Sequence, residues 1–196
     1  MTEWYRNTDW NDEIEAHFFA KLERARSQRD QYIVLQANYL SDTHPKVTLR
    51  LVDFYFETRT DDFDDDRARR AAAAAHFALG GYVDALDSYQ AMLEGDDNEQ
   101  SLIVGSPIEF AFLAARHRSN THYDAALKHL QALPPPDETQ FDPRFRHFAA
   151  EALILSETGR DPARAVTAAG IALAQPDEVL AQYPDMIWRL RGITRT

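Results

Sequence analysis

The chain has 196 residues, and its 21 Lys and Arg against 32 Asp and Glu give a formal net charge of −11 at pH 7. This acidic excess argues against a general nucleic-acid binder, because such proteins replace phosphate counterions with a surplus of Lys and Arg. It also argues against anionic membrane surfaces and favours basic proteins as partners. The absence of cysteine excludes disulfides, thiolate metal sites and cysteine nucleophiles, and it fits a reducing compartment.

The N-terminal residues lack the basic start and apolar run of a secretory signal. No stretch approaches the roughly 18 consecutive apolar residues that a membrane helix requires. We therefore expect a cytoplasmic protein that contacts neither membranes nor nucleic acid.

Helical periodicity begins near the N-terminus, after residues that can cap a helix. Apolar side chains recur at spacings of four, four and three at Ile14, Phe18, Leu22 and Ala25. A pause at 27–30 precedes a second apolar series, which indicates two helices. One continuous helix is the alternative, since no Gly or Pro enforces the break. Pro45 marks the next boundary, because Pro favours the first turn of a helix.

The segment 47–56 is ambiguous. Its β-branched and aromatic residues permit a strand, yet Val47, Leu51 and Phe54 also form a helical stripe. We predict a helix, because a lone strand without a partner would leave its backbone hydrogen-bonding groups unpaired.

From residue 61 onwards, breaker residues recur at intervals typical of short helices. The acidic run 61–66 precedes an alanine-rich helix, and later boundaries are indicated at Gly80, Gly81, 95–100, Pro107, 119–121, 134–136, Pro143, Gly159 and Pro162. A last helix carries Trp188, and Pro184 should disturb it. These patterns predict one all-α domain over 1–196, with about ten helices, N-terminal helices at 1–60, repeats at 64–175 and a C-terminal capping helix at 176–196.

The second helices of the repeats share a pattern. Ala85, Ala126 and Ala165 lie 41 and 39 residues apart, each followed by an aliphatic residue. Tyr82 and Tyr123 stand three residues before the first two alanines. A small residue where two helices cross lets them approach closely, with larger side chains on either side.

This pattern resembles the second helix of the tetratricopeptide repeat (TPR), which reads Gly-x-Tyr-x-x-Ala-Leu-x-x-Tyr. Residues 80–92 match well, 123–133 fairly and 159–172 in outline, so the resemblance covers roughly 64–175. The family's Trp and Leu-Gly-x-x-Tyr pattern is missing from the first helices, and the spacing exceeds the usual period of about 34. The resemblance, which extends to bacterial helical-hairpin proteins, implies antiparallel helical hairpins stacked as a short TPR-like α-solenoid.

In the TPR family, the first helix of each pair lines a concave binding face. The resemblance places on that face Arg67, Arg70, Phe77, Ile108, Ala115, Arg118, Arg146 and Leu153. Such a basic, partly apolar groove would clamp an acidic peptide or a C-terminal carboxylate through Arg forks. The alternative is that these arginines solvate helix faces or pair with nearby Asp residues.

A second candidate is an acidic surface for a basic partner. Its residues are Asp61, Asp62, Asp64, Asp65, Glu94, Asp96, Asp97 and Glu99. The run 61–66 lacks the glycine and final glutamate of an EF-hand, so calcium is not expected there. Helix capping and solvated loop charge are the alternatives.

Signatures of catalysis are missing. The histidines 117, 122, 129 and 147 form no His-Glu-x-x-His motif, and no nucleophile-elbow, P-loop or dinucleotide-binding pattern occurs. Tyr82, Tyr89 and the alanines are interpreted as core packing. We therefore predict no catalytic residue, no bound metal and no cofactor.

The predicted function is non-enzymatic binding of a protein or peptide, since solenoids offer long surfaces to partners. Its sharpest form is an immunity protein, a small acidic bacterial protein that neutralises a basic toxin domain. The alternatives are an adaptor or scaffold subunit of a bacterial complex and an all-α metal-dependent hydrolase. A homodimer through the region 32–56 or through Trp188 is a further alternative.

Overall fold

The computed structural model describes residues 3–94 and 106–195. The chain divides into two compact units, Met1–Asp97 and Asn98–Thr196. In the described ranges, all regular structure is helical, in eleven α-helices and one 3₁₀ helix, which confirms the all-α prediction. Asp96, Asp97 and Glu99 of the predicted acidic surface lie outside these ranges.

The first unit contains five helices: α1 (Asp12–Leu22), α2 (Arg29–Leu40), α3 (Pro45–Thr58), α4 (Asp65–Ala78) and α5 (Tyr82–Leu93). Separate α1 and α2 and a helical segment 47–56 confirm the two predictions made for this region. Asn11 caps α1 by accepting a hydrogen bond from the Ile14 amide, and Pro45 begins α3. Gly80 follows α4 with a φ of 77°, a left-handed conformation that glycine adopts without strain.

The second unit contains α6 (Ser106–Arg116), a 3₁₀ helix (Asn120–His122), α7 (Tyr123–Gln131), α8 (Phe141–Thr158), α9 (Pro162–Leu173), α10 (Asp177–Leu180) and α11 (Pro184–Ile193). Gly159 ends α8 in the left-handed conformation, with a φ of 67°. The predicted last helix is two helices, because Pro184 begins α11. A proline fits the first turn but cannot continue a preceding helix.

Buried aromatic and aliphatic side chains form the core of the first unit: Trp10, Phe18, Leu22, Ile33, Val34, Leu40, Leu51 and Tyr55. The N-terminal segment packs onto this core. The Trp4 ring lies 5.5 Å from the Phe18 ring, and Tyr5 stacks on Tyr32 with centroids 4.3 Å apart. Gln36, fully buried, holds the segment by accepting from the Asn7 amide and side chain and by donating to the Asn7 carbonyl.

The small residues of the repeat are buried, as the crossing argument requires. Ala85, Ala126 and Ala165 are each at most 1% exposed. The three alanines lie on α5, α7 and α9. Each of these is the second helix of a pair and packs against the first: α4 with α5, α6 with α7 and α8 with α9.

The prediction that Tyr82 is core packing is wrong, because its side chain is 44% exposed. It opens α5 directly after Gly81, where it contacts the Phe77 ring at 5.8 Å. Tyr123, at the same repeat position, is 2% exposed and donates a hydrogen bond to Glu157. The hydrogen bond to the partly exposed Glu157 carboxylate satisfies the phenol of Tyr123 while its ring lies inside.

Candidate functional site

The segment 59–64, which joins α3 to α4, carries an exposed aromatic side chain; we call it the acidic loop. Phe63 is 78% exposed, and Asp61 and Asp62 beside it are exposed as predicted. Sequence reasoning did not single out Phe63. The signal that could have revealed it is one large apolar residue inside an otherwise acidic run.

Asp65 is not part of the acidic surface, in contrast to the prediction, since it is 7% exposed. It accepts a hydrogen bond from the Tyr55 hydroxyl at 3.0 Å, and it pairs with Arg59 at 3.1 Å and Arg69 at 3.4 Å. Two cations and a phenol compensate the burial of its charge. Burial and the hydrogen bond to Asp65 together raise the pKa of Tyr55 well above its ordinary value.

Asp64 is also buried, at 4% exposure, so its placement on the acidic surface is wrong as well. Its carboxylate pairs with Arg67 at 3.0 Å. Burial raises the pKa of Asp64, and the charge of Arg67 opposes this without cancelling it. Asp64 directly precedes α4 and Asp65 is its first residue. The helix dipole favours negative charge at this end of a helix.

Hydrogen bonds fix the backbone of the acidic loop. Asp30 Oδ2 accepts from the Thr60 amide and from the Thr60 hydroxyl, both at 2.8 Å. Asp61 Oδ1 accepts from the Phe63 amide at 3.1 Å. The Phe63 ring is therefore presented to solvent by a loop whose ends are tied to α2 and α4.

The first unit holds most of the negative charge. Residues 1–97 contain 11 Lys and Arg and 20 Asp and Glu, a formal charge of −9. Residues 98–196 contain 10 and 12, a formal charge of −2. Glu94, another member of the predicted surface, is exposed after α5 and accepts a hydrogen bond from Gln90.

The predicted groove residues of the first unit differ in exposure and in their contacts. Arg67 is half exposed and paired with Asp64. Arg70 is exposed and makes no ion pair within 3–94 and 106–195. Phe77 packs against Tyr82 and Tyr89, with ring centroids 5.8 and 6.4 Å apart.

Arg146 does not offer a free guanidinium to a groove. Its side chain is 29% exposed and pairs with Asp142 at 2.9 Å and with Glu109. It also donates to the Tyr183 hydroxyl at 3.0 Å. Arg146, like Arg67, is therefore paired with nearby acidic residues, which was the alternative to a role in the groove.

The physical reason lies in the C-terminal segment, which packs onto α6 and α8. Tyr183 stacks on Phe145, with centroids 4.8 Å apart and an interplanar angle of 11°, and contacts Phe112 edge-on at 5.2 Å. Asp185 pairs with Arg116 at 3.2 Å. In this unit, the C-terminal segment covers part of the face that the resemblance assigns to a partner.

Arg189 secures this packing. Its Nη2 donates to the Ala115 carbonyl at 2.8 Å and to Glu157 at 2.6 Å, and the side chain is 10% exposed. Ala115 and Leu153, both predicted to line the groove, are buried at 0% and 2%.

Arg118 is the exception among the predicted groove residues of this unit. Its side chain is 64% exposed, and its Nε lies 3.8 Å from Glu157 Oε1. It lines a shallow groove together with Leu153 and Trp188. Trp188, on α11, is 76% exposed, which makes it the counterpart of Phe63 in the second unit.

The histidines show packing roles. His122 is 3% exposed and contacts the Ser119 and Thr121 hydroxyls at 2.8 and 3.2 Å, within its own turn. His147 is 5% exposed, and burial lowers its pKa. Within 3–94 and 106–195, no group of three or more His, Asp or Glu side chains is arranged to hold a metal ion.

In the same two ranges, no helix has the length and apolar character needed to cross a bilayer. No protein-family model, curated protein or solved structure matches this chain. Its function is therefore inferred from its own surfaces.

Proposed function

We propose that the chain is a non-enzymatic helical-repeat protein that binds a basic protein partner through the acidic loop. The observation that carries this proposal is the 78% exposure of Phe63 directly after two exposed aspartates, Asp61 and Asp62. A large exposed aromatic beside charges of one sign is the composition of a protein-binding hot spot.

The geometry of the loop supports a preformed contact. Asp30 and Asp61 fix its backbone, so a partner would not have to order it on binding. The formal charge of −9 on residues 1–97 would speed the encounter with a basic surface. Phe63 would then supply apolar contact area, and Asp61 and Asp62 would pair with Lys or Arg of the partner.

The finer version is a TPR-like α-solenoid that acts as an immunity protein against a basic bacterial toxin. Support comes from three packed helix pairs with a buried alanine at each second helix and from the acidic charge. The adaptor version shares these features, and the identity of the partner separates the two.

The test is affinity capture with the tagged full-length chain in a bacterial lysate, followed by salt elution. We expect one stoichiometric basic protein that is released at high salt. Phe63→Ala and the pair Asp61→Asn, Asp62→Asn should each abolish its capture.

Two controls are matched to these changes. Phe141→Ala removes a ring that is 46% exposed at the start of α8, and Asp12→Asn with Glu13→Gln removes two adjacent exposed charges on α1. Both should retain the partner. Equal capture by the loop variants and the wild type would refute the acidic loop as the binding site. A stoichiometric metal without any protein partner would refute the binding function itself.

A further inference from the structure

The second unit has an exposed aromatic of its own, on the outer face of α11. Trp188 is 76% exposed. Arg191 and Arg195 follow at spacings of three and seven, so that all three project from one side of the helix and its C-terminal turn. We call Trp188, Arg191 and Arg195 the α11 surface.

The two arginines of the α11 surface carry positive charge that the described chain does not neutralise. Within 3–94 and 106–195, the guanidinium groups of Arg191 and Arg195 make no hydrogen bond or ion pair. By contrast, Arg189 on the same helix bonds to Glu157 and to a backbone carbonyl. Free cations in a chain with 32 acidic residues mark a place that suits an anionic ligand.

A groove of about 620 Å³ runs along the α11 surface. Apolar side chains of Leu180, Ile187 and Trp188 line it, together with both arginines and one carboxylate, Asp177. On the other flank of Trp188, the exposed Arg118 lines a second, smaller groove. In that second groove Arg118 lies 3.8 Å from Glu157, so the positive charge beside the indole that is unpaired among the described residues is that of Arg191 and Arg195 in the larger groove.

Gly192 lies beside Trp188 in both grooves. A Cβ atom at this position would meet nothing within 4 Å, and the backbone does not need a positive φ. Neither packing nor conformation in this chain explains a residue that destabilises a helix relative to alanine. Its effect is to keep the surface next to the indole low enough for another chain to approach.

The geometry points to the α11 surface as a binding site for an acidic peptide segment of another protein. An aliphatic or aromatic side chain of the segment lies against Trp188 in the groove, and its carboxylates pair with Arg191 and Arg195 as Arg forks. Charge complementarity selects this occupant. The site is independent of the acidic loop, since it lies in the other unit and takes a partner of opposite charge.

The probe is a random peptide library displayed on phage and selected on the full-length protein. We expect enrichment of peptides in which Asp and Glu flank a Leu, Phe or Trp. A synthetic peptide of the enriched type should bind with an affinity, measured by fluorescence anisotropy, that falls at least about tenfold for Trp188→Ala and for Arg191→Gln with Arg195→Gln.

A matched pair of glycine variants tests the groove without removing any contact. Gly192→Leu fills the open space beside Trp188 and should abolish peptide binding while the helix content stays unchanged. Gly170→Leu, on α9, also enters open space and should leave binding intact. Phe63→Ala should bind the peptide like the wild type, which separates this result from the test of the acidic loop.

Three outcomes would overturn the inference. The first is enrichment of peptides without acidic residues, or of none. The second is equal affinity for the wild type and the Trp188 and arginine variants. The third is a dimer in sedimentation analysis that Trp188→Ala converts to a monomer, because a second copy would then occupy the surface.

Discussion

The two units differ in which charged residues their internal ion pairs leave exposed. In the first unit, Arg59, Arg67 and Arg69 neutralise the buried Asp64 and Asp65, and the acids that are left exposed dominate the surface. In the second unit, acids such as Glu109, Asp142 and Glu157 hold partly buried arginines. Among the residues that the structure describes, Arg191 and Arg195 have no acidic partner. A partner meets only the charged side chains that are not already paired within the chain. The net charge of the sequence does not show which side chains these are.

The largest expected effect on stability concerns the crossing of paired helices, which occurs within each unit. Ala85→Trp should overfill the contact of α4 with α5 and destabilise the first unit by about 3 kcal/mol or more, because Ala85 is fully buried. Thermal unfolding followed by circular dichroism measures this. Arg70→Glu, at an exposed position of α4, is the control and should melt like the wild type. Unchanged melting of Ala85→Trp would contradict the crossing assignment.

The contrast between paired and free arginines can be tested on α11 itself. Arg189→Met removes a side chain that is 10% exposed and bonded to Glu157 and the Ala115 carbonyl. We expect the free energy of unfolding to fall by about 2 kcal/mol. Arg191→Met should change it by less than about 0.5 kcal/mol. Equal losses in urea denaturation would show that Arg189 does not secure the C-terminal segment.

A smaller effect is expected in the anchoring of the acidic loop. Tyr55→Phe keeps the ring and removes the hydroxyl that donates to Asp65 at 3.0 Å. The loss should be about 1 kcal/mol by urea denaturation. Tyr39→Phe, at a ring that is 43% exposed, should have no measurable effect. If both variants match the wild type, the Tyr55 hydroxyl does not stabilise the buried carboxylate.

The smallest effect concerns pH. Burial raises the pKa of Asp64 in the folded state, so its ionised form costs stability above that pKa and the cost disappears as the pH falls through it. Asp64→Asn should therefore be slightly more stable than the wild type at pH 7, and this advantage should vanish near pH 3, below the ordinary aspartate pKa of 3.8. Urea denaturation at the two pH values measures the difference. An advantage that grows on acidification would contradict the direction of the shift.

Most helix boundaries followed from the sequence because Gly and Pro act locally. Pro45, Gly159 and Pro162 each stand at a helix end, and the stripe of Val47, Leu51 and Phe54 was enough to identify α3. Such signals depend on the backbone preferences of single residues or on one helical face, so tertiary contacts are not needed to interpret them.

The surfaces were less predictable. The sequence does not distinguish the exposed Asp61 and Asp62 from the buried Asp64 and Asp65. The buried pair is set apart by partners brought close in space, namely Arg59, Arg67, Arg69 and the Tyr55 hydroxyl. Tyr82 and Tyr123 occupy one repeat position, yet Tyr82 is 44% exposed, whereas Tyr123 is 2% exposed and donates a hydrogen bond to Glu157.

In the second unit, Arg146, Ala115 and Leu153, which the resemblance places in the groove, are paired or buried for a related reason. Arg116 and Asp185 are 69 residues apart in sequence. The periodicity of a sequence does not indicate such a contact, so it could not predict that the C-terminal segment packs onto α6 and α8. Arg146 therefore had the pattern of a ligand-binding residue, although its guanidinium is held by Glu109, Asp142 and Tyr183.

The packing of the C-terminal segment onto α6 and α8 also sets a threshold for competition. A tethered segment meets its own docking face at an effective concentration of about 1 mM for a short flexible connection. A free peptide of equal intrinsic affinity would need a similar concentration to displace Tyr183 and Asp185 from Phe145 and Arg116. Weak ligands are thereby excluded from this face, and the second unit is left with the opposite side of α11 for reversible contacts.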